Sequence, residues 1–218
     1  MDFRPIFISL KTASISIVCT FFLGIALAAW VTTIQSKKKR AMIDGILTLP
    51  MVLPPTVAGF FLLYIFGAKR PIGQIFEKIF GMSIVFSFGA TVIAAVVISL
   101  PLMYRSARGA IEQVDREVVL AARTLGLSER MIFWKIILPM ARPGILSGGI
   151  LAFTRGLGEF GATTMIAGNI AGKTRTLPLA IYSAVAAGDM KEAGHYVLIL
   201  VVFSFFAVMC IDVLGGKK

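Results

Sequence analysis

The sequence predicts an all-α integral membrane protein. Five transmembrane helices are expected, with a short interfacial or re-entrant helix and one cytoplasmic helix beside them. Three observations carry this. Of 218 residues, 57% are hydrophobic and only 15% are charged, against about 45–50% and 25% in soluble domains. The chain holds several uncharged runs long enough to cross a hydrocarbon core, which takes about 20 helical residues. Its basic residues fall between those runs, as membrane topology requires. The hydrophobicity excludes disorder, and the length suits a single transmembrane domain over residues 1–218 with no second large soluble domain.

The runs locate the spans. Thr12 to Ser36, Gly45 to Ala68, Ile79 to Tyr104 and Ala193 to Ile211 carry no charge. A further span, Ile136 to Gly158, is interrupted by Arg142 and Arg155, which a helix end near the interface tolerates. Leu177 to Gly188 is apolar but too short to cross, and suits the re-entrant or interfacial helix. Ala26-Leu27-Ala28 mimics a signal-peptide cleavage site. The run around it exceeds an h-region of about 7–15 residues, and a basic cluster follows, so it reads as a span.

Five spans put the termini on opposite sides. Lys37-Lys38-Lys39-Arg40 marks a cytoplasmic loop, since such loops are enriched in Lys and Arg. The N-terminus is then outside, and Lys217-Lys218 lie inside. Inside segments hold 13 of the 22 basic residues and outside segments 7, with Lys11 and Arg155 in or beside spans. The net charge of +11 is accounted for by topology and needs no nucleic acid.

The one sizeable polar segment runs from Arg105 to Lys135. In it, Asp115 is placed to cap a helix and Gly126 to end it. Val118, Val119, Ala122 and Leu125 share a stripe at helical spacing. The small side chains of Ala121 and Ala122 suit close approach of another surface. Pattern alone leaves two readings, a helix lying on lipid headgroups or a docking helix for a soluble partner. Ser128 is placed to cap a second helix running through Phe133 and Trp134 into the next span.

Pro54-Pro55 removes two amide donors inside an apolar run and breaks the second span. A break at membrane depth survives only where protein or a water-filled cavity receives the freed carbonyls. The second span is therefore expected to face the bundle interior or a pathway, though a packed structural kink answers the same pattern. Arg155 and Glu159, spaced i, i+4, share a helix face, either beside a pathway or gate or as a structural ion pair. Thr56, Thr163, Thr164 and Asn169 offer neutral hydrogen bonds. Gly144-x-x-x-Gly148, followed by Gly149, offers a flat surface for packing within or between subunits. Cys19 and Cys210 read as small buried hydrophobes. His195 lacks the neighbours of a metal site. No metal, cofactor or catalytic set is expected.

Two nucleotide-like strings are incidental. Gly156 to Gly161 spells G-x-G-x-x-G, but without the preceding strand of a dinucleotide fold. Ala167 to Thr174 resembles a relaxed phosphate loop, yet falls on the outer side and follows no strand. Any use of ATP would require another polypeptide.

Ala121-Ala122-x-x-x-Gly126, nine residues, then Ile136-x-Leu138-Pro139 resembles the "EAA" loop of ABC importer permeases. The family's first residue is usually Glu. This chain has Leu120 there and Glu117 one turn earlier, a departure that bears on one polar contact and not on docking. Leu53-Pro54-Pro55-Thr56-Val57-Ala58-Gly59, Arg155 to Thr163, and Ala167 to Leu179 are similar to stretches of molybdate-type permeases, with sulfate and tungstate permeases close by. The resemblance covers about residues 8–212. It implies that Glu117, Leu120, Ala121, Ala122, Gly126 and Pro139 serve a coupling helix seated on a cytoplasmic ATPase. It implies a pathway or gate near Pro54, Pro55, Thr56, Arg155, Glu159, Thr163 and Asn169. The implied partners are a second permease copy, two ATPase subunits, an extracytoplasmic oxyanion-binding protein and membrane lipid. Against six-span members, the chain starts late and is expected to lack one N-terminal span. A channel or ion-driven transporter is the alternative from another class. It would show paired broken helices in two repeated halves, and only one broken span is evident. A membrane enzyme is a third, without a visible catalytic set.

Overall fold

A computed structural model describes residues 2–215, with side chains through residue 209. Lys217, Lys218 and the Cys210 side chain lie outside the described residues. Those described form helices and no strands. In order they are α1 (Arg4–Thr32), α2 (Lys37–Val52), α3 (Pro55–Phe66), α4 (Pro71–Phe80), α5 (Phe88–Glu112), α6 (Arg116–Thr124) and α7 (Glu129–Ile132). A π-helical turn (Phe133–Ile137) leads into α8 (Leu138–Leu157), followed by α9 (Gly161–Ala167), α10 (Leu177–Ala186) and α11 (Met190–Gly215).

Among the described residues, four helical stretches are long and apolar enough to cross a membrane: Arg4–Thr32, Phe88–Glu112, Glu129–Leu157 and Met190–Met209. The pair α2 and α3 makes a fifth if it is taken as one broken span, its halves meeting at 111°. Four to five candidate spans thus stand where five are expected, with shifted boundaries. The expected Ile79–Tyr104 span begins later, because Gly81 takes a left-handed φ of 66° and ends α4. The Ser87 hydroxyl then accepts from Ala90 N–H and starts α5, which continues past Tyr104 to Glu112. The short apolar helix forms at Leu177–Ala186.

The burial pattern is that of a lipid-bathed protein. On α1 the buried stripe is Ser9, Thr12, Ala13, Ser16, Thr20, Gly24, Ala28 and Val31. Phe7 and Phe22 stand 72% and 67% exposed on the other faces. In water that distribution would be inverted. In lipid it is expected, since apolar side chains gain nothing by meeting one another and helices associate through small residues. Cys19 belongs to the outward set. It is exposed, not buried as expected from its type, because its position on the helix falls off the small-residue stripe.

Helices α1, α5 and α8 enclose the main core, which includes Ala28, Val31, Met103, Tyr104, Ala107, Ala141 and Ile145. Hydroxyls bridge α1 and α5. The Thr91 hydroxyl donates to its own helix at Phe88 O (2.7 Å), so Thr12 donates to Thr91 (2.9 Å). Ser99 likewise donates to Ala95 O (2.7 Å) and accepts from Thr20 (3.2 Å). Ser9 accepts from Leu177 N–H (2.6 Å), which satisfies one of the orphan donors at the start of α10. The Tyr196 hydroxyl of α11 donates to Asp2 O (2.9 Å). The flat glycine surface of α8 is spent within the subunit. A Cβ at Gly144 would lie 2.7 Å from Ala110 Cβ, one at Gly148 would collide with Ser106 Cβ, and Gly149 faces the Phe21 ring.

Opposite effects are therefore expected for two Gly→Ala changes. Gly148→Ala should cost about 1–3 kcal/mol by overpacking. Gly109, with open space around it in the interior of α5, should gain roughly 0.5–1 kcal/mol as Ala. Unfolding titrations in mixed micelles measure both. Equal effects would mean that α5 and α8 are not in close contact.

Candidate functional site

Helix α6 is closed at both ends by its own sequence. The Asp115 carboxylate accepts from Glu117 N–H at 2.8 Å. At the other end Gly126 adopts φ 78°, its N–H donates to Arg123 O (2.9 Å), and Leu127 N–H donates to Ala122 O (3.2 Å). This is a Schellman stop, which favours Gly because the left-handed conformation is costly for residues with a Cβ. Ser128 accepts from Met131 N–H (3.4 Å) and opens α7. Arg123 reaches across this short joint in a two-pronged ion pair with Glu129, at 2.7 and 3.1 Å. The hydrogen bond to Glu129 pushes the Arg123 guanidinium above its ordinary pKa.

Glu117, Leu120, Ala121 and Thr124 follow at i, i+3, i+4 and i+7 and are all exposed, giving α6 an outward face. Leu125, at its end, is 81% exposed. Ala122 corrects the sequence expectation. It is 4% exposed and turned into the chain's own fold, so Ala121 alone of the two alanines is open to approach. The expected stripe of Val118, Val119, Ala122 and Leu125 is covered only in part. Pro139 is exposed near the start of α8. It has no N–H to give the carbonyl four residues back, and the turn before it widens, with Leu138 N–H donating to Phe133 O.

The two motif stretches around Pro54 and Glu159 form one contact. Pro54 ends the α2 direction and Pro55 starts α3, with Val57 and Ala58 N–H donating to Pro54 O at 2.8 and 3.2 Å. A Cβ on Gly59 would sit 2.7 Å from Ala162 Cα, and one on Gly161 would sit 3.0 Å from Pro55 Cβ. Helices α3 and α9 thus meet almost backbone to backbone. Glu159 is 2% exposed. One of its oxygens accepts from Arg155 Nη1 (2.7 Å), and the other accepts from Ala162 N–H (2.8 Å) at the head of α9. Thr163 is buried in the same place.

Pro54 and Thr56 lie exposed on the surface of this chain, because α3 turns only Ala58, Gly59 and Leu62 inward, so of the two expectations for this span, bundle interior or pathway, the interior one does not hold for these residues. Asn169 is already engaged. Its oxygen accepts from Arg175 Nε (2.8 Å) and its amide donates to Ser183 Oγ (2.7 Å). That loop is a compact turn held by Thr174, whose hydroxyl accepts from Ile170 N–H (3.0 Å).

Sequence reasoning missed a polar cluster between α2 and α5. Tyr104 donates to Asp44, Arg108 pairs with Asp44 and Glu112, and Arg40 pairs with Glu112. Asp44, Tyr104, Arg108 and Glu112 of this cluster line a cleft of about 310 Å³. The available signal was Asp44 itself, the sole acid between Asp2 and Glu77. An acid beside a hydrophobic run calls for a basic partner.

Comparison with known proteins agrees with this architecture. Residues 20–216 match the family described as binding-protein-dependent transport system inner membrane component. The chain is 38% identical over 209 residues to the molybdenum transport system permease protein of Escherichia coli strain K12, covering 95% of this chain and 91% of that protein. It is 36% identical to the protein of that name from Haemophilus influenzae, over 100% and 95% of the two chains. It is 41% identical to that of Mycobacterium tuberculosis, over 93% and 75%. Among solved structures, an inward-facing MetNI methionine ABC transporter chain superposes with a TM-score of 0.76 at 17% identity, over 99% of this chain and 95% of that one. A chain of a bacterial ABC transporter importing alginate superposes at 0.74 and 16%, over 98% and 78%. At such identities these two speak for the fold. With apolar helices in this number and a family match over most of its length, the chain is a multi-pass membrane protein belonging to the family of binding-protein-dependent transport system inner membrane components.

Proposed function

We propose that this chain is the permease subunit of an ATP-driven ABC importer that carries molybdate or a related oxyanion by alternating access. The observation that carries the coupling reading is α6, a short helix capped at both ends that turns an uncovered face of Glu117, Leu120 and Ala121 outward. Leu120 on α6 and Leu125 at its end stand 56% and 81% exposed, and give this polar segment an apolar surface that a partner protein can cover. In this reading α6, within the loop of about residues 105–135, seats on a cytoplasmic ATPase, and Gly126 and Pro139 shape its two flanks. The molybdate reading rests on the named relatives, which match over nearly the whole chain. Tungstate and sulfate are the neighbouring alternatives.

Two copies of this single transmembrane domain form the pathway, with two ATPase subunits inside and an oxyanion-binding protein outside. The N-terminus lies outside and the C-terminus in the cytoplasm. The outward position of Pro54 and Thr56 supports a path between copies instead of within one. Arg155, Glu159 and Thr163 back that path through the contact of α3 with α9. Weak contact suits the task, since an anion that must be released cannot be held tightly. The chain itself performs no chemistry, and ATP hydrolysis belongs to the partner.

Ala121→Arg should abolish transport-coupled ATP hydrolysis, lowering uptake at least tenfold while insertion and folding stay intact. Ala122→Arg, at a buried position, should instead reduce the folded yield. Uptake assays and detergent gel filtration read the two effects, and unchanged uptake in Ala121→Arg would refute docking at this face. In the complex reconstituted with its ATPase and binding protein, molybdate should stimulate ATP hydrolysis. Testing molybdate, tungstate and sulfate in turn assigns the substrate. A response to none of them, or the absence of any P-loop ATPase on copurification, would remove the importer reading.

A further inference from the structure

A second cleft opens beside α6, of about 1290 Å³, between the end of α1, the start of α2, the end of α5 and the α6–α7 joint. Both tryptophans of the chain line it. Trp30 stands in the last turn of α1, 53% exposed, and Trp134 in the π turn, 59% exposed. The cleft's three acids, Asp44, Glu112 and Glu129, are all spent on Arg108, Arg40 and Arg123. Lys37, Arg116 and Arg130 also line the cleft, and among the described residues none of the three has an ion-pair partner. Lys37 begins α2 and Arg116 begins α6. Both therefore place positive charge at the positive end of a helix dipole, where an anion is favoured and a cation is not.

From this charge excess and its setting, we infer that the cleft binds the phosphodiester headgroup of an anionic phospholipid. A free inorganic anion would satisfy the same cations. The tryptophans decide for lipid, because paired indoles at the ends of spans mark the headgroup level of a bilayer. Basic pockets between transmembrane helices at that level take anionic headgroups. The site requires only that the chain reside in a membrane, and is independent of which anion it transports. It also brings lipid close to α6, through Arg116 on that helix and Arg130 just beyond it.

The two tryptophans make the site its own reporter. The full chain is reconstituted in phosphatidylcholine bilayers containing a minor fraction of brominated phosphatidylglycerol or of brominated phosphatidylcholine, and tryptophan quenching is compared. Each uncompensated basic residue should enrich the anionic lipid roughly fivefold, so brominated phosphatidylglycerol should quench at several-fold lower mole fraction. Lys37→Gln, Arg116→Gln and Arg130→Gln together, all at exposed positions, should erase that preference and leave quenching by phosphatidylcholine as it was. Equal quenching by both lipids in the unaltered chain would overturn the inference without recourse to any variant. So would a preference that survives the triple substitution. Loss of the preference on adding inorganic phosphate, at ionic strength matched with sodium chloride, would reassign the cleft to a free anion. Loss on adding the partner ATPase would reassign it to a protein interface.

Discussion

The structure depends on the near-contact of α1, α5 and α8. In a bilayer no hydrophobic force pushes these helices together, because lipid tails are as apolar as the side chains they touch. What remains is dispersion at short range and a few hydrogen bonds across the seam. Both need backbones that approach closely. Gly144 and Gly148 fit against Ala110 and Ser106, and Thr12 and Thr20 bond to Thr91 and Ser99. Large residues are displaced to the lipid side, which is why the chain looks inside out by the standards of a soluble protein. The same device recurs where α3 meets α9 at Gly59 and Gly161, and there it joins the stretch after Pro54-Pro55 to the stretch after Glu159.

Much of this was legible in the sequence. Uncharged runs reveal membrane helices because the cost of burying charge in lipid leaves a clear compositional mark. The caps of α6 and α7 were legible because Asp115, Gly126 and Ser128 act on their own neighbours within a few residues. Pro54-Pro55 announced a break for the same local reason. Boundaries were less legible. The run from Ile79 is apolar throughout, yet the chain stops at Gly81 and restarts at Ser87, since a run of hydrophobicity records lipid solubility and not helix ends.

What depended on tertiary placement was not legible. Ala121 and Ala122 are identical in type, and only their different azimuths on the folded α6 make one buried and the other open. Cys19 looked like a core residue by type, but its azimuth on α1 turns it outward. Asn169 looked like a free donor until Arg175 and Ser183 were folded against it. The Asp44 cluster joins residues some sixty positions apart, a distance over which no spacing rule operates.

Glu129–Leu157 forms one helical stretch of 29 residues, with the α6 joint at one end and Arg155 near the other. A rod of that size is roughly 43 Å long, so rotating it by about 5° would sweep its far tip through roughly 4 Å. Glu159, gripped by Arg155 and itself gripping α9, would travel with that tip and carry the glycine seam against α3. The wide turn before Pro139 sits close to the fulcrum, where extra slack in the ladder lets the shaft flex without snapping. In such a rod a small rotation at the α6 joint becomes a displacement of ångströms at the contact of α9 with α3.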